Sequence, residues 1–330
     1  MRLRRSPLLL VLALVLTACA TQSPSPSATL RPITLLLGFQ PDVQFAPFYL
    51  AQQAGDYAEA GLDVTIQYKS DADLVRLVGN GQAQFGVADA TDVMISRTAG
   101  IPIKYVATLY SLFPVELIGR SGTVPAVPAE LVGLRIGTPG KYGSSWHALL
   151  ALLDAGGLTA NDVTIREYPQ FNQVQGLLNG DVDLITGFRN NEPWRLAAQG
   201  TQVDVMTVEK IAPLPGPGMI VGDALLSSDP ALVQAFAAAT VRAQATITGD
   251  IQKGLDAAIV AVPTIASDKA TALTVLRATI ELWRGSATGP TGAIDGAIWA
   301  KGYATMRKLG FIDRSVPLDQ MIHQVLNPTG

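Results

Sequence analysis

Short apolar runs alternate with amphipathic stretches along most of the chain. The runs predict strands near Ile33–Leu37, Val64–Gln67, Phe85–Ala88 and Ile103–Thr108. Between them the apolar positions recur at helical spacing, predicting helices near Pro47–Ala60, Ala72–Gly79 and Val93–Ala99. The alternation then returns, with strands near Leu134–Gly137, Val163–Glu167, Leu184–Thr186 and Val203–Thr207. Its helices fall near Ser145–Ala155, Phe171–Leu178 and Glu192–Gln199. Ser70-Asp71 and Thr91-Asp92 suit N-caps, while Gly79, Gly156-Gly157 and Asn179-Gly180 suit helix ends. Strands alternating with helices imply mostly parallel sheets covered by helices, an α/β fold.

The two halves of this pattern are related at an offset of 99 residues. Asp63-Val64-Thr65-Ile66 recurs as Asp162-Val163-Thr164-Ile165, and Asn80-Gly81 as Asn179-Gly180. Leu37-Gly38 answers to Ile136-Gly137, and Gln84-Phe85 to Asp183-Leu184. Several short matches in one register argue for two equivalent lobes. After Pro213-Leu214-Pro215-Gly216-Pro217-Gly218 the pattern becomes mainly helical through Ile322, with no third copy. This segment is expected to return to the first lobe. The expected division is 31–115 for the first part of lobe 1, 116–215 for lobe 2, and 216–330 for the return. Crossings near Leu109–Leu117 and Ala212–Val221 would form the hinge.

The N-terminus has a different pattern. Arg2, Arg4 and Arg5 precede the unbroken apolar run Leu8–Leu16, which is short for a bilayer span and suits a signal peptide over 1–18. Leu16-Thr17-Ala18-Cys19 follows and resembles the lipobox of bacterial lipoproteins, in which the cysteine is acylated and becomes the first mature residue. Cys19 is therefore the expected lipid anchor on the extracytoplasmic face of the cell membrane. Residues 19–30 include the Ser/Pro-rich stretch Thr21–Thr29, an extended tether. Cleavage before Cys19 would leave 312 residues and move the formal charge from −3 to −6. That balance gives no electrostatic footprint for nucleic acid. A single cysteine excludes an intramolecular disulfide and a Cys-rich metal site.

Ligands of open α/β sheets bind beyond the carboxyl ends of strands, at helix N-termini. Four loops meet that description: 38–49, 88–92, 138–146 and 187–194. The candidate ligand-binding residues are Phe39, Gln40, Gln44 and Tyr49 in the first, and Asp89 and Thr91 in the second. Tyr142 and Trp146 come from the third, and Asn190, Asn191, Glu192 and Trp194 from the fourth. The chain is only 6% aromatic, so rings gathered in these loops suit stacking on a flat ligand. Amide side chains suit a heterocycle edge of alternating donors and acceptors. Two readings stay open for Trp146, because Trp146, Leu149, Leu150 and Leu153 also form a helical core stripe. Glu192 before Pro193 could equally serve a helix N-terminus. No catalytic group or cofactor is expected. His147 and His323 are far apart, and neither a nucleophile elbow nor a P-loop is present.

Four motifs resemble the NMT1/THI5-like branch of periplasmic-binding-protein-like domains. They are Gln44-Phe45-Ala46-Pro47-Phe48-Tyr49-Leu50-Ala51, Leu131–Gly140, Gln170-Phe171-Asn172-Gln173-Val174 and Gly187-Phe188-Arg189-Asn190-Asn191-Glu192-Pro193. The resemblance implies a two-lobed type II periplasmic-binding-protein fold that captures a small molecule and delivers it to the membrane permease of an ABC importer. The third and fourth motifs look closest to its riboflavin-binding members; a thiamine-related aminopyrimidine is the alternative ligand. The family's pyrimidine synthases use a first-loop histidine and a Cys-rich iron motif. Here Gln44 stands at the histidine position and Cys19 lies far from any cleft, so no enzyme activity is expected.

Overall fold

The computed structural model describes residues 29–284 and 292–327. The expected signal peptide and Cys19 lie outside the described residues. The first half-repeat contains β1 (Arg31–Leu37), α1 (Ala46–Gln53), α2 (Asp56–Glu59) and β2 (Leu62–Tyr68). It continues with α3 (Asp71–Gly79), β3 (Phe85–Ala88), α4 (Ala90–Thr98) and β4 (Ile103–Thr108). The single helix expected over Pro47–Ala60 is broken into α1 and α2 by Gly55, at φ 85°. The Ser70 hydroxyl caps α3, as its sequence suggests. α4 starts earlier than expected, and the residue before it, Asp89, makes no capping bond; its carboxylate is engaged elsewhere.

The second half-repeat begins with β5 (Val115–Arg120), β6 (Arg135–Thr138), α5 (Gly143–Ala155) and β7 (Thr164–Glu167). It continues with α6 (Gln173–Leu178), β8 (Leu184–Phe188), α7 (Glu192–Ala198), β9 (Val203–Thr207) and α8 (Val208–Ile211). The chain then returns through β10 (Gly218–Gly222), α9 (Asp223–Ser228), α10 (Pro230–Gly249) and α11 (Ile251–Ala261). α12 (Lys269–Arg284) and α13 (Gly296–Lys308) follow.

Among the described residues two five-stranded sheets result, ordered β2-β1-β3-β10-β4 and β7-β6-β8-β5-β9. In each, one strand runs against the rest: β10 pairs antiparallel with β3 and β4, and β5 with β8 and β9. Both are fed by a segment that has just crossed between lobes, so they enter their sheets from the opposite direction. The expected crossings at Leu109–Leu117 and Ala212–Val221 are therefore shorter, running from the end of β4 to Pro114 and from Ala212 to Pro217. They lie side by side. The Leu109 and Tyr110 N–H groups donate to the Pro217 carbonyl at 3.2 and 3.1 Å. A Cβ on Gly216 would stand 2.2 Å from the Tyr110 carbonyl oxygen, so only glycine permits this approach.

The repeat has a structural meaning with one correction. Phe85 pairs with Leu35 and Leu184 with Ile136, so β1 and β6 correspond at an offset of 101, not 99. The Leu37-Gly38 match with Ile136-Gly137 is thus out of register by two residues. The other three matches fall at equivalent places, including the helix-ending glycines Gly81 and Gly180 at φ 77° and 75°. The returning helices pack on the first sheet: Phe236 of α10 stacks on Phe85 at 3.9 Å and on Tyr57 at 5.2 Å. Trp299 of α13 meets Tyr105 of β4 edge-on at 4.9 Å.

Candidate functional site

The carboxyl ends of β1, β3, β6 and β8 face one another across a cleft that opens to solvent. The first lobe supplies Phe39, Gln44, Phe45, Phe48 and Asp89. The second supplies Tyr142, Ser144, Phe171, Gln173, Phe188, Asn191 and Glu192. Tyr110 and Pro217 come from the crossings, Gln244 from α10 and Trp283 from α12. Among the described residues no Lys, Arg or His lines it.

The lobes touch around the rim. Phe39 meets Phe171 edge-on at 4.8 Å. Phe171 holds this position with a left-handed backbone, φ 55°, unusual for a side-chain-bearing residue and found at ligand clamps. The Ser144 N–H at the start of α5 donates to the Asp89 carboxylate at 2.9 Å. His147 Nδ1 and the Thr91 hydroxyl are 2.9 Å apart. Asn190 Nδ2 donates to Gln44 Oε1 at 3.2 Å and to the Thr279 hydroxyl at 2.9 Å, and the Tyr110 hydroxyl reaches the same Gln44 oxygen at 3.3 Å. Arg195 pairs with the buried Asp42 and also donates to Asn191 Oδ1. No local pattern marks Asp42, because its partner lies in the other lobe, 153 residues away.

Of the candidate residues, Phe39, Gln44, Asp89, Tyr142, Asn191 and Glu192 line the cleft. Thr91 and Asn190 are buried just outside it as inter-lobe contacts. Tyr49 lies in the first-lobe core, 2% exposed, its hydroxyl 2.6 Å from that of Tyr68. Trp146 is in the second-lobe core with Leu149 and Leu153, so the helical stripe decides its place. Gln40 and Trp194 are exposed and lie outside the lining. Tyr110, Gln173, Gln244 and Trp283 also line the cleft without being sequence candidates; Gln173 belongs to the Gln170–Val174 motif, and the others come from segments outside the four loops.

Burial sets the electrostatics. It pushes the carboxyls of Asp42 and Asp89 up, Asp42 against the opposing pull of Arg195. Glu192 is pushed up to about 7 by burial, although the Phe188 N–H donates to it at 2.8 Å. His147 is pushed down to about 4 by burial and is neutral near pH 7. Gly187 leaves room for the Glu192 stem, whose Cγ would be 2.8 Å from an added Cβ. Among the described residues, no group of His, Cys, Asp or Glu is clustered to hold a metal ion. No helix among them is long and apolar enough to cross a membrane.

Such a cleft can enclose a flat, uncharged molecule between rings and amides. Comparisons with known proteins agree with the architecture. The NMT1/THI5-like family profile matches residues 42–250. The riboflavin-binding protein RibY of Chloroflexus aurantiacus is 31% identical over 349 aligned positions, covering 100% of this chain and 99% of that one. A formylaminopyrimidine-binding protein of Halalkalibacterium halodurans is 30% identical over 139 positions, 40% of each chain. In structure, the periplasmic aliphatic sulphonate binding protein SsuA of Escherichia coli matches with a TM-score of 0.70 at 14% identity, over 91% of this chain and 93% of that one. The chain has the periplasmic-binding-protein fold and belongs to the NMT1/THI5-like family.

Proposed function

We propose that this chain is the extracytoplasmic solute-binding component of an ABC importer, that riboflavin is its ligand, and that Cys19 carries its lipid anchor. The observation that carries the ligand reading is the cleft itself. Rings from both lobes line a space to which the described residues contribute no cation, and the acids among them, Asp89 and Glu192, are both biased toward their neutral forms. A sulfonate or phosphate enclosed there would be an uncompensated charge. A neutral tricycle buries apolar area against the rings and offers its pyrimidinedione edge to the amides. The full-length likeness to RibY points the same way. An aminopyrimidine is the second reading, favoured by the partial likeness to the formylaminopyrimidine-binding protein and by the two carboxyls.

Flavin fluorescence titration tests this. Quenching with a Kd in the micromolar to nanomolar range, about −8 to −12 kcal/mol, is expected. Tyr142→Ala should weaken binding by about 1 kcal/mol through lost stacking. Riboflavin should be recovered unchanged after long incubation, as befits a carrier and not an enzyme. Tight binding of an aminopyrimidine with none of riboflavin would transfer the assignment. For the anchor, Cys19→Ser should leave unprocessed, unacylated precursor; an acylated product cut before residue 19 would refute it.

A further inference from the structure

The polar atoms of the cleft are unevenly satisfied. Gln173 and Gln244 both line it, at 1% and 0% exposure, one from each lobe. Gln173 Nε2 donates to the Thr186 carbonyl at 3.4 Å and to Glu192 Oε1 at 3.3 Å. Gln244 Nε2 donates to the Leu109 carbonyl at 3.3 Å. In both side chains the carbonyl oxygen, Oε1, is buried and receives no hydrogen bond from the protein. Reversing either carboxamide would set oxygen against oxygen, so the orientation follows from the chemistry of the partners. Two buried acceptors left unpaired at one cleft are costly to the protein alone and call for an outside donor.

We propose that Gln173 and Gln244 are a pair of fixed hydrogen-bond acceptors that select a ligand by its N–H and O–H donors, one acceptor in each lobe. The inference rests on the solute-binding reading above and deepens it. The ligand class is an uncharged heterocycle bearing a ring N–H and hydroxyl groups. Riboflavin meets it with the N3–H of its pyrimidinedione and the hydroxyls of its ribityl chain; an ionised sulfonate group has no donor to offer. Glu192 takes a different role from a direct ligand contact. One of its oxygens accepts from the Phe188 N–H and the other from Gln173 Nε2, so it is a positioning residue that holds Gln173 with its oxygen outward from that network.

The test pairs variants with capped ligands. Wild type, Gln173→Met and Gln244→Met are titrated with riboflavin, 3-methylriboflavin and lumiflavin, which lack respectively nothing, the N3 donor and the ribityl hydroxyls. Each variant should bind riboflavin roughly 10-fold more weakly. Each should lose that penalty against one capped ligand, because the donor it served is already gone. Equal penalties against all three flavins, or none, would overturn the acceptor assignment while leaving the carrier reading intact. If wild type binds an aminopyrimidine instead, the same cycle with its N,N-dimethyl counterpart decides the assignment. If wild type binds neither class, the carrier reading fails and the assignment falls with it. Glu192→Ala should abolish the Gln173 coupling, and Glu192→Gln, with one acceptor oxygen for two donors, should restore it at most in part; an intact coupling in Glu192→Ala would remove the positioning role. A crystal structure of the complex gives the direct check, since water alone at both Oε1 atoms would overturn the proposal.

Discussion

The two lobes share a frame and differ in what they bring to the cleft. In the first, β1 and β2 pair Arg31 with Leu62; in the second, β6 and β7 pair Arg135 with Thr164, a step two residues shorter. The first-lobe wall sets the rings of Phe39, Phe45, Phe48 and, from the returning helices, Trp283 beside Gln44, Asp89 and Gln244. The second-lobe wall is richer in polar groups, with Ser144, Gln173, Asn191 and Glu192 beside Tyr142 and Phe171. Duplication therefore fixes where the binding loops stand, while ligand chemistry is written in segments that the repeat does not preserve. The first lobe also carries the C-terminal helices, and its core is correspondingly the larger.

The comparison is broken most severely by attacking that larger core. Phe236 is fully buried between Phe85 and Tyr57, with the rings nearly parallel at 11° and 5°. Phe236→Ala removes both stacks and leaves a cavity, at an expected cost of about 3–5 kcal/mol. Urea denaturation followed by circular dichroism reads the loss. A cost under about 1 kcal/mol would show that the returning helices do not hold the first lobe together.

The second lobe is probed through its buried titrating groups. Glu192 titrates near 7 when folded, against an ordinary value of 4.5. Between those values the folded protein keeps a proton that the unfolded chain releases, so stability falls as pH rises, by at most about 3 kcal/mol. His147 acts in the opposite sense. Folded, it titrates near 4 against an ordinary 6.5, so stability falls as pH drops through that window. The two slopes oppose each other over their overlap. Glu192→Gln should therefore make the melting temperature rise more steeply from pH 4.5 to 6.5 than in wild type. The raised carboxyls of Asp42 and Asp89 act in the same sense as Glu192 but remain in both proteins, so the difference isolates Glu192. Parallel melting curves across that range would contradict the buried, proton-holding carboxyl.

These effects also mark what could be read from sequence. The parallel strands and their helices follow from periodicity and glycine punctuation, which are local. β5 and β10 fall partly within the expected crossings Leu109–Leu117 and Ala212–Val221; each starts beside proline and pairs antiparallel, outside the parallel pattern that periodicity announces. Tyr49 and Trp146 stand near strand ends, where a ligand contact is expected, yet helical geometry turns both into the cores. Gln244 and Trp283 reach the cleft from α10 and α12, a placement set by tertiary packing and carried by no local pattern.

A smaller effect is expected at the Asp42–Arg195 contact between lobes. Arg195 is 42% exposed and Asp42 only 4%, so solvent screens much of the attraction. Asn at position 42 would keep one acceptor oxygen, enough for the Gln44 N–H, while losing the charge and the second oxygen that faces Arg195. Asp42→Asn should weaken ligand binding by about 2- to 5-fold at low ionic strength. The deficit should shrink in high salt, because screening removes from wild type what the substitution removes from the variant. A salt-independent deficit would point to packing instead of charge.

The smallest effects should come from two residues that the sequence placed at the cleft and the fold places outside it. Trp194 is 40% exposed on α7, two residues after Glu192, and Gln40 is exposed one residue after Phe39. Their neighbours line the cleft and they do not. Successive residues point to different sides of a helix or loop, so adjacency in sequence confers no share in the site. Trp194→Ala and Gln40→Ala should each change the riboflavin Kd by less than about 2-fold, which is below ~0.5 kcal/mol and typical of surface positions. Fluorescence titration is sensitive enough to tell this from the loss expected for Tyr142→Ala. Should Trp194→Ala weaken binding as much as Tyr142→Ala, α7 would have to rotate toward the ligand on binding, and the second-lobe wall described above would not be the one that meets it.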